Sequence, residues 1–223
     1  MVHTIMGIED HFLLRIGDVT KSKNFLHAAT CYYDKEGNSW FRRSVPEEDV
    51  RLNLKPDRWY HVAVTFDNGY VRLYLDGKQM AEGDVAHIEQ IPDPDNEGAM
   101  KWVGVPEGKF MYPHSDELQG KPRCFWIGYS YEKIAEGKMD RCLDGMIAEA
   151  RVWNVVRTPE EIKDNCYKLY PDKETGKFPA ELLAYWKFNE GEGKTVKDHS
   201  IYGHDLTGFN NFIWYPVDLP LKN

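Results

Sequence analysis

The residues with the clearest potential for ligand chemistry lie in one long segment, residues 85–123. The segment is rich in Pro, Gly and charge, and it far exceeds the usual connection of about four to six residues. Its candidate ligand-binding residues are Trp102, Phe110, Tyr112 and His114. Aromatic faces pack against the apolar faces of sugar rings, and long loops on rigid scaffolds commonly carry binding residues. We therefore predict a ligand site here. The alternative is that the aromatic residues, Trp102 above all, anchor the loop onto its own sheet.

A second candidate site is the acidic loop from Lys197 to Thr207. Asp198 and Asp205 are candidate metal ligands, because calcium takes six to eight oxygens, commonly from carboxylates and loop carbonyls. The alternative is that Asp198 holds its own turn through side-chain to backbone hydrogen bonds. His199 and His204 are five residues apart in the same loop, which is not a spacing typical of metal sites.

Catalysis of glycoside hydrolysis needs two carboxylates that flank the scissile bond. Carboxylates two or four residues apart on a strand point to the same side. The nearest pattern is Glu82-Gly83-Asp84, but the next acid, Glu89, lies beyond a predicted turn, and Glu149 stands alone on its strand. The chain also lacks a Gly-x-Ser-x-Gly elbow and a phosphate-cradling Gly loop. We therefore expect a protein that binds rather than catalyses.

The composition is that of a globular protein for which polyanions are poor candidates as partners. The chain has 223 residues and a formal charge of -8, without a basic run for nucleic acid or anionic membrane surfaces. No stretch approaches the ~20 apolar residues of a membrane span, and no signal peptide is visible at the start. The four cysteines are widely spaced without a CxxC, which disfavours zinc; two disulfides and free thiols both stay open.

The elements that position these residues are predicted to be short strands. Trp59–Phe66 and Tyr70–Leu75 alternate in hydrophobicity, and Asn68-Gly69 and Asp76-Gly77 are favoured turn pairs, which together predict an antiparallel meander. Further strands are predicted at His11–Ile16, Leu26–Tyr33, Ser39–Val45, Cys124–Tyr129, Gly145–Trp153, Leu182–Phe188, His204–Thr207 and Phe212–Val217. The tryptophans in these strands are expected in the core or on a sheet surface: Trp59, Trp126, Trp153 and Trp186. The pattern is typical of a sandwich or a barrel.

One helix interrupts the strands. Thr158 is a predicted N-cap, Pro159 stands at the first helical position, and Glu161 completes a capping box. We expect this helix to run from residue 158 to about 168 and to stop before Pro171. Because no repeat or low-complexity linker interrupts the chain, we predict a single domain over residues 1–223.

Three blocks of sequence resemble laminin G-like and pentraxin-like domains of the concanavalin A-like lectin/glucanase superfamily. The first block is Trp59–Phe66 with Leu73–Gly77, which resembles the central hairpin of these domains. The second is Phe125–Gly128 with Leu143–Asn154 and the helix start, and the third is Leu183–Gly193 with Asp198–Asp205. The resemblance extends over about Phe12 to Thr207.

The resemblance implies an all-β jelly-roll sandwich of two antiparallel sheets. Such modules are common in secreted and cell-surface glycan-handling proteins, including those of gut Bacteroidetes, and several relatives bind calcium at the rim. The partner implied is a glycan or polysaccharide, so we expect a non-catalytic carbohydrate-binding module. The alternatives are a protein-interaction or structural module and a glycoside hydrolase. The family usually has a further strand before Thr4–Gly7, so we expect a fragment that lacks this opening strand.

Overall fold

The structure is a computed structural model that forms two compact units, each described by itself. It describes residues 2–8, 12–18, 21–33, 40–67, 70–84, 88–104, 124–130, 141–170, 176–209 and 212–219. Unit 1 consists of Met1–Asp57, Val62–Leu75 and Gln79–Asp144, and unit 2 consists of Arg58–His61, Asp76–Lys78 and Gly145–Asn223. Across the described ranges, no helix is long and apolar enough to cross a membrane. The prediction of a single domain stays a prediction.

The described residues contain mostly strands and one α-helix, as predicted. In chain order the strands are β1 His3–Ile8, β2 Phe12–Asp18, β3 Lys21–Tyr33, β4 Trp40–Val45, β5 Val62–Asp67, β6 Tyr70–Leu75, β7 Lys78–Asp84, β8 Ile88–Pro92, β9 Met100–Gly104, β10 Trp126–Ile127, β11 Ala150–Trp153, β12 Leu182–Trp186, β13 Thr195–Val196 and β14 Leu206–Thr207. The helix is α1, Pro159–Asn165, and Val50–Leu52 form a 3₁₀ turn.

Unit 1 is a sandwich of two sheets around a shared apolar core. The first sheet has five strands in the order β10-β1-β2-β3-β4, paired antiparallel. The second has three strands in the order β5-β6-β7. Leu14 and Leu26 of the first sheet and Leu73 of the second belong to one buried cluster, and all three are at most 1% exposed. Removing this apolar surface from water is the main force that holds the two sheets together.

The β5–β6 hairpin confirms the clearest sequence pattern. Val62 and Val64 of β5 pack against the core, and Val71 and Leu73 of β6 are fully buried. Phe66, near the end of β5, is exposed. The turn after β6 has Asp76 at φ 50° and Gly77 at φ 77°, so both residues adopt the left-handed conformation that the Asp-Gly pair predicts.

Part of the predicted long loop is a hairpin. Strands β8 and β9 pair antiparallel from Ile88 opposite Gly104 to Pro92 opposite Met100. Residues 93–99 turn between them, closed by the Asp93 N–H donating to the Ala99 carbonyl at 2.9 Å. The prediction of a continuous loop over 85–123 was therefore wrong for residues 88–104, where two strands pair.

Unit 2 contains two short antiparallel sheets and α1. Strand β11 pairs with β12, and β13 pairs with β14. The core of the unit is an aromatic cluster built around Tyr170, Leu182 and Tyr185, with Trp153 and Phe178 packed against it. The ring centroids of Tyr170 and Tyr185 lie 6.2 Å apart at 88°, which is the edge-to-face geometry that aromatic pairs prefer.

Helix α1 begins where the sequence predicts and ends earlier than predicted. Thr158 is the N-cap, its Oγ1 accepting from the Glu161 N–H at 3.2 Å while the Thr158 N–H donates to Glu161 Oε2 at 2.9 Å. The predicted extension to about residue 168 was wrong. The helix ends at Asn165 because residues 166 and 167 form a turn.

The C-terminal prediction also needs correction. Phe212–Val217 was expected to be a strand, but residues 212–219 belong to no strand, and β14 pairs with β13 instead. Trp214 holds this segment by donating from its indole Nε1 to the Gly193 carbonyl at 3.1 Å. Its ring also packs edge-on against Phe212, with centroids 5.3 Å apart.

Candidate functional site

An open cleft in unit 2 combines aromatic and charged side chains. It has a volume of about 480 Å³, and its lining residues are Arg58, Trp59, Tyr167, Asp218 and Leu219. This volume lies within the range of about 300–1,000 Å³ that is typical of small-ligand pockets. The lining comes from three separate parts of the chain: the segment before β5, the turn after α1, and the segment 212–219.

The carboxylate of Asp76 holds the first two parts of the cleft together. Its Oδ2 accepts from Arg58 Nη2 at 2.6 Å. Its Oδ1 accepts from the Tyr167 hydroxyl at 3.2 Å and from the His61 backbone N–H at 3.0 Å. The Asp76 N–H in turn donates to the His61 carbonyl at 2.7 Å. One turn residue therefore orients an arginine and a tyrosine of the cleft.

Glycine at position 77 lets α1 approach this turn. A Cβ at Gly77 would lie 3.0 Å from the Lys163 Cα and 3.3 Å from Cys166 Sγ. The close approach places Tyr167, just beyond the helix, within hydrogen-bond distance of Asp76. The Asp76-Gly77 pair thus serves both the hairpin turn and the position of the Tyr167 ring.

Arg58 is a preorganised side chain although it is largely exposed. Its guanidinium lies over the Tyr60 ring, 4.6 Å from the centroid, in addition to its ion pair with Asp76. An exposed ion pair adds little stability by itself, but two simultaneous contacts restrict the rotamers of a long side chain. Ligand binding then costs less conformational entropy.

His61 lies behind the cleft as a neutral group. Burial lowers the pKa of His61 to about 4, helped by the positive charge of Arg151 and opposed by Asp76. Its ring centroid is 6.4 Å from that of Tyr167. Burial first, and then Asp76, also raises the pKa of the Tyr167 hydroxyl. Both rings are therefore uncharged at neutral pH.

A cluster of largely buried polar side chains contacts the turn that carries Tyr167. Arg151 donates from Nη1 to the Asn165 carbonyl at 3.2 Å and from Nη2 to the Lys168 carbonyl. Glu149 forms an ion pair with Arg151 and accepts from the Tyr185 hydroxyl at 3.0 Å. Arg151 thereby satisfies carbonyls at the end of α1, where a positive charge is also favourable.

Burial also perturbs the carboxylate of Glu149. Burial raises the pKa of Glu149, while Arg151, Tyr185 and Lys187 oppose the increase. The other acid considered for catalysis, Glu82, is exposed in unit 1 and lies 3.4 Å from Arg72.

Asp198 has the geometry of a carboxylate that holds its own turn. Its Oδ1 accepts from the backbone N–H groups of Tyr185 at 2.9 Å and Ser200 at 2.8 Å. Its Oδ2 accepts from the His204 N–H at 2.7 Å and from the Ser200 hydroxyl at 2.8 Å. Burial raises the pKa of Asp198, but the hydrogen bonds from Ser200, Tyr185 and His204 outweigh burial and lower it overall.

The structure brings Asp198 and Asp205 together without forming a cation cage. Asp205 accepts from the Asp198 N–H at 2.9 Å and from Lys197 Nζ at 2.5 Å. Among the residues with described positions, no group of three or more His, Cys, Asp or Glu side chains could hold a metal ion. Because protein N–H and O–H groups already contact both carboxylates, this donor set does not fit calcium as it stands.

The predicted aromatic site lies mostly outside the described residues. Trp102 belongs to β9, where it pairs with Gln90, but its side chain is not among those described. Phe110, Tyr112 and His114 lie outside the described residues altogether. Their role in ligand binding stays a prediction.

Trp59 is the residue whose role the sequence pattern did not indicate. It was expected in a strand as core or sheet surface, yet residues 58–61 precede β5 and Trp59 lines the cleft. Trp186 fits the expectation, being 3% exposed with its Nε1 donating to the His204 carbonyl at 2.8 Å. The sequence feature that could have indicated this role is the run Arg58-Trp59-Tyr60, which ends a segment of polar and turn-forming residues.

Comparison with known proteins supports the superfamily suggested by the sequence. A family model of laminin G type, described as the concanavalin A-like lectin/glucanases superfamily, matches residues 15–110. This range contains the first of the three resembling blocks and carries Arg58, Trp59 and Asp76 of the cleft. No curated protein matches the chain.

Proposed function

We propose that this chain is a non-catalytic carbohydrate-binding module of a secreted or cell-surface protein, and that the cleft lined by Trp59 and Tyr167 binds the sugar. The superfamily match supports a lectin-like or protein-interaction module. The observation that carries the proposal further is the cleft itself. It places two aromatic side chains beside an arginine and a carboxylate.

This combination suits a saccharide for physical reasons. A pyranose ring presents apolar C–H faces that pack on aromatic rings, and its hydroxyls both donate and accept hydrogen bonds. Arg58 offers donors, and Asp218 offers acceptors. The hydrogen bonds of Asp76 hold Arg58 and Tyr167 before any ligand arrives, which limits the entropy lost on binding.

The decisive experiment compares a cleft variant with a matched exposed aromatic. The wild-type chain is first screened on a glycan array, and the affinity for each hit is then measured by calorimetry. Trp59→Ala should weaken binding by about tenfold or more, since a central aromatic contact is a typical hot spot. Tyr215→Ala removes a 70% exposed ring that does not line the cleft, and it should leave the affinity unchanged. Equal affinities for wild type and Trp59→Ala would reject this cleft.

Residues Trp102, Phe110, Tyr112 and His114 form the second proposed location for the sugar. The paired variant Trp102→Ala with Tyr112→Ala tests it under the same conditions. Loss of binding at an unchanged melting temperature would place the site in the 85–123 segment rather than in the cleft. Repeating the titration with a chelator tests whether calcium at Asp198 and Asp205 contributes.

A protein-interaction module is the second candidate function, favoured by apolar side chains on the surface of unit 2. Ile213 is 84% exposed, Tyr215 70% and Ile201 66%. Side chains of this kind are available for contact with a partner protein, whose binding would remove their apolar surface from water. A silent glycan array, together with self-association or partner binding that Ile213→Asp abolishes, would favour this function over carbohydrate binding.

A further inference from the structure

The cleft lining includes one carboxylate, Asp218, whose charge no described residue compensates. The positive charge of Arg58 is compensated by Asp76, whose Oδ2 lies 2.6 Å from Arg58 Nη2. Asp218, on the cleft lining, forms no ion pair or hydrogen bond with any residue that the structure describes. The charged groups of Arg58, Asp76 and Asp218 therefore sum to a net charge of about -1 at neutral pH.

The uncompensated carboxylate lies beside two aromatic side chains. Trp59 and Tyr167 line the same cleft as Asp218. A cation placed over an aromatic face is attracted to its π electrons, and the attraction is strongest for Trp. An adjacent carboxylate adds a direct electrostatic attraction. Aromatic rings with an unpaired acid are therefore a favourable environment for an ammonium group.

We infer that the cleft selects saccharides that carry protonated amino groups over their N-acetylated and acidic counterparts. The inference rests on the proposed carbohydrate binding and specifies its ligand class. An acidic saccharide would place a second negative charge near Asp218, while Arg58 already has a carboxylate partner. A neutral saccharide would keep the ring contacts but leave the charge of Asp218 without a partner.

The test uses the whole chain and three oligosaccharides of equal length: a glucosamine oligomer, its fully N-acetylated form and a uronic acid oligomer. Calorimetry is done at mildly acidic pH, where the amino groups carry protons, and at low and high salt. Exposed ion pairs and cation–π contacts together predict that the glucosamine oligomer binds about 3- to 30-fold more tightly than the N-acetylated form. High salt should reduce this ratio.

Two variants assign the preference to the cleft. Asp218→Asn should lower the ratio of the two affinities to about 2- to 5-fold, the share of the cation–π contacts, because it removes the charge of the carboxylate and keeps its shape. The matched control, Glu192→Gln, removes an exposed carboxylate that does not line the cleft, and it should retain the wild-type ratio.

Each result against the inference is distinct from failure of carbohydrate binding itself. Equal or tighter binding of the N-acetylated or acidic oligomer, abolished by Trp59→Ala, would overturn the amino-sugar preference and leave the proposed function intact. Binding of the glucosamine oligomer that survives Trp59→Ala would show only attraction to an acidic chain and would also overturn the inference. Absence of binding to all three oligosaccharides, while another glycan on the array binds and Trp59→Ala abolishes that binding, would overturn the inference and leave the proposed function intact. A silent array would reject both.

Discussion

Replacing Asp198 with Asn tests whether a single buried carboxylate holds the loop between β13 and β14. The Asp198 side chain is 0% exposed, and it accepts two backbone N–H groups at Oδ1 and one at Oδ2. An amide of the same shape has only one oxygen. In either orientation of the amide, its NH₂ group faces at least one backbone N–H, and that donor loses its acceptor.

The expected loss in the free energy of unfolding follows from these hydrogen bonds. If the amide oxygen takes the place of Oδ1, the N–H of His204 is left unpaired, which costs about 1–3 kcal/mol. The bonds from Tyr185 and Ser200 become neutral, and each loses about 1 kcal/mol relative to a charged acceptor. The Ser200 hydroxyl can turn to the Leu183 carbonyl, 3.1 Å from its Oγ, and accept from the amide. We therefore expect Asp198→Asn to lower the free energy of unfolding by about 3–5 kcal/mol.

The assay is urea unfolding followed by tryptophan fluorescence, with chelator and then with calcium. Asp205→Asn is the control, since that exposed carboxylate accepts only one backbone N–H, and it should have a smaller effect. The pKa of Asp198 is lowered in the folded state. The difference between wild type and variant should therefore be complete above the unfolded pKa of Asp, about 4, and decline as pH falls through the folded value.

Two results would refute this reasoning. Equal stability of wild type and Asp198→Asn in chelator would mean that the four hydrogen bonds do not hold the loop. A loss of stability that occurs only when calcium is present would mean that the carboxylate acts as a cation ligand, as the metal-site prediction from the sequence has it.

Three further predictions concern stability. Burial lowers the pKa of His27 from 6.5 to about 4, so the free energy of unfolding of the wild type should fall by up to about 3 kcal/mol as pH drops between these values. The urea midpoint of His27→Gln should depend less on pH in this range, and the same pH dependence in both proteins would contradict the prediction. Thr158→Ala should lower the free energy of unfolding by about 1 kcal/mol, because it removes the N-cap hydrogen bond from the Glu161 N–H. Thr158→Ser keeps that bond, and thermal melts should show a stability close to that of the wild type. Gly77→Ala should destabilise the chain by about 1–3 kcal/mol, because Ala resists a φ of 77° and its Cβ would press on Lys163; an unchanged melting temperature would show that α1 shifts freely.

Local sequence patterns were sufficient to predict those features whose structure depends only on neighbouring residues. The capping box of Thr158 and Glu161 lies within three residues, and the Asp76-Gly77 turn within two. The alternation of Val71, Leu73 and Leu75 likewise follows from the period of a strand. These features have the same energetics in any surrounding fold, so their residue types predict them.

The strand predicted over Trp59–Phe66 shows where local signals fail. Its hydrophobic alternation continues through Tyr60, but β5 begins only at Val62. The backbone of His61 exchanges hydrogen bonds with Asp76 instead, its N–H donating to the carboxylate and its carbonyl accepting from the Asp76 N–H. An Asp side chain 15 residues away thus satisfies the backbone, and no pattern within residues 59–66 contains that information.

The sequence alone therefore determined the antiparallel strands and the start of the helix, because hydrophobic periodicity and capping act over a few residues, and its resemblance to known domains suggested the superfamily. Only the tertiary structure determined which residues line the cleft. The bond from the Tyr167 hydroxyl to Asp76 spans 91 residues, and Asp218 reaches the same cleft from the far end of the chain. Contacts at such separations depend on how every intervening element packs, since each hydrogen bond forms only when folding has placed both partners within about 3 Å.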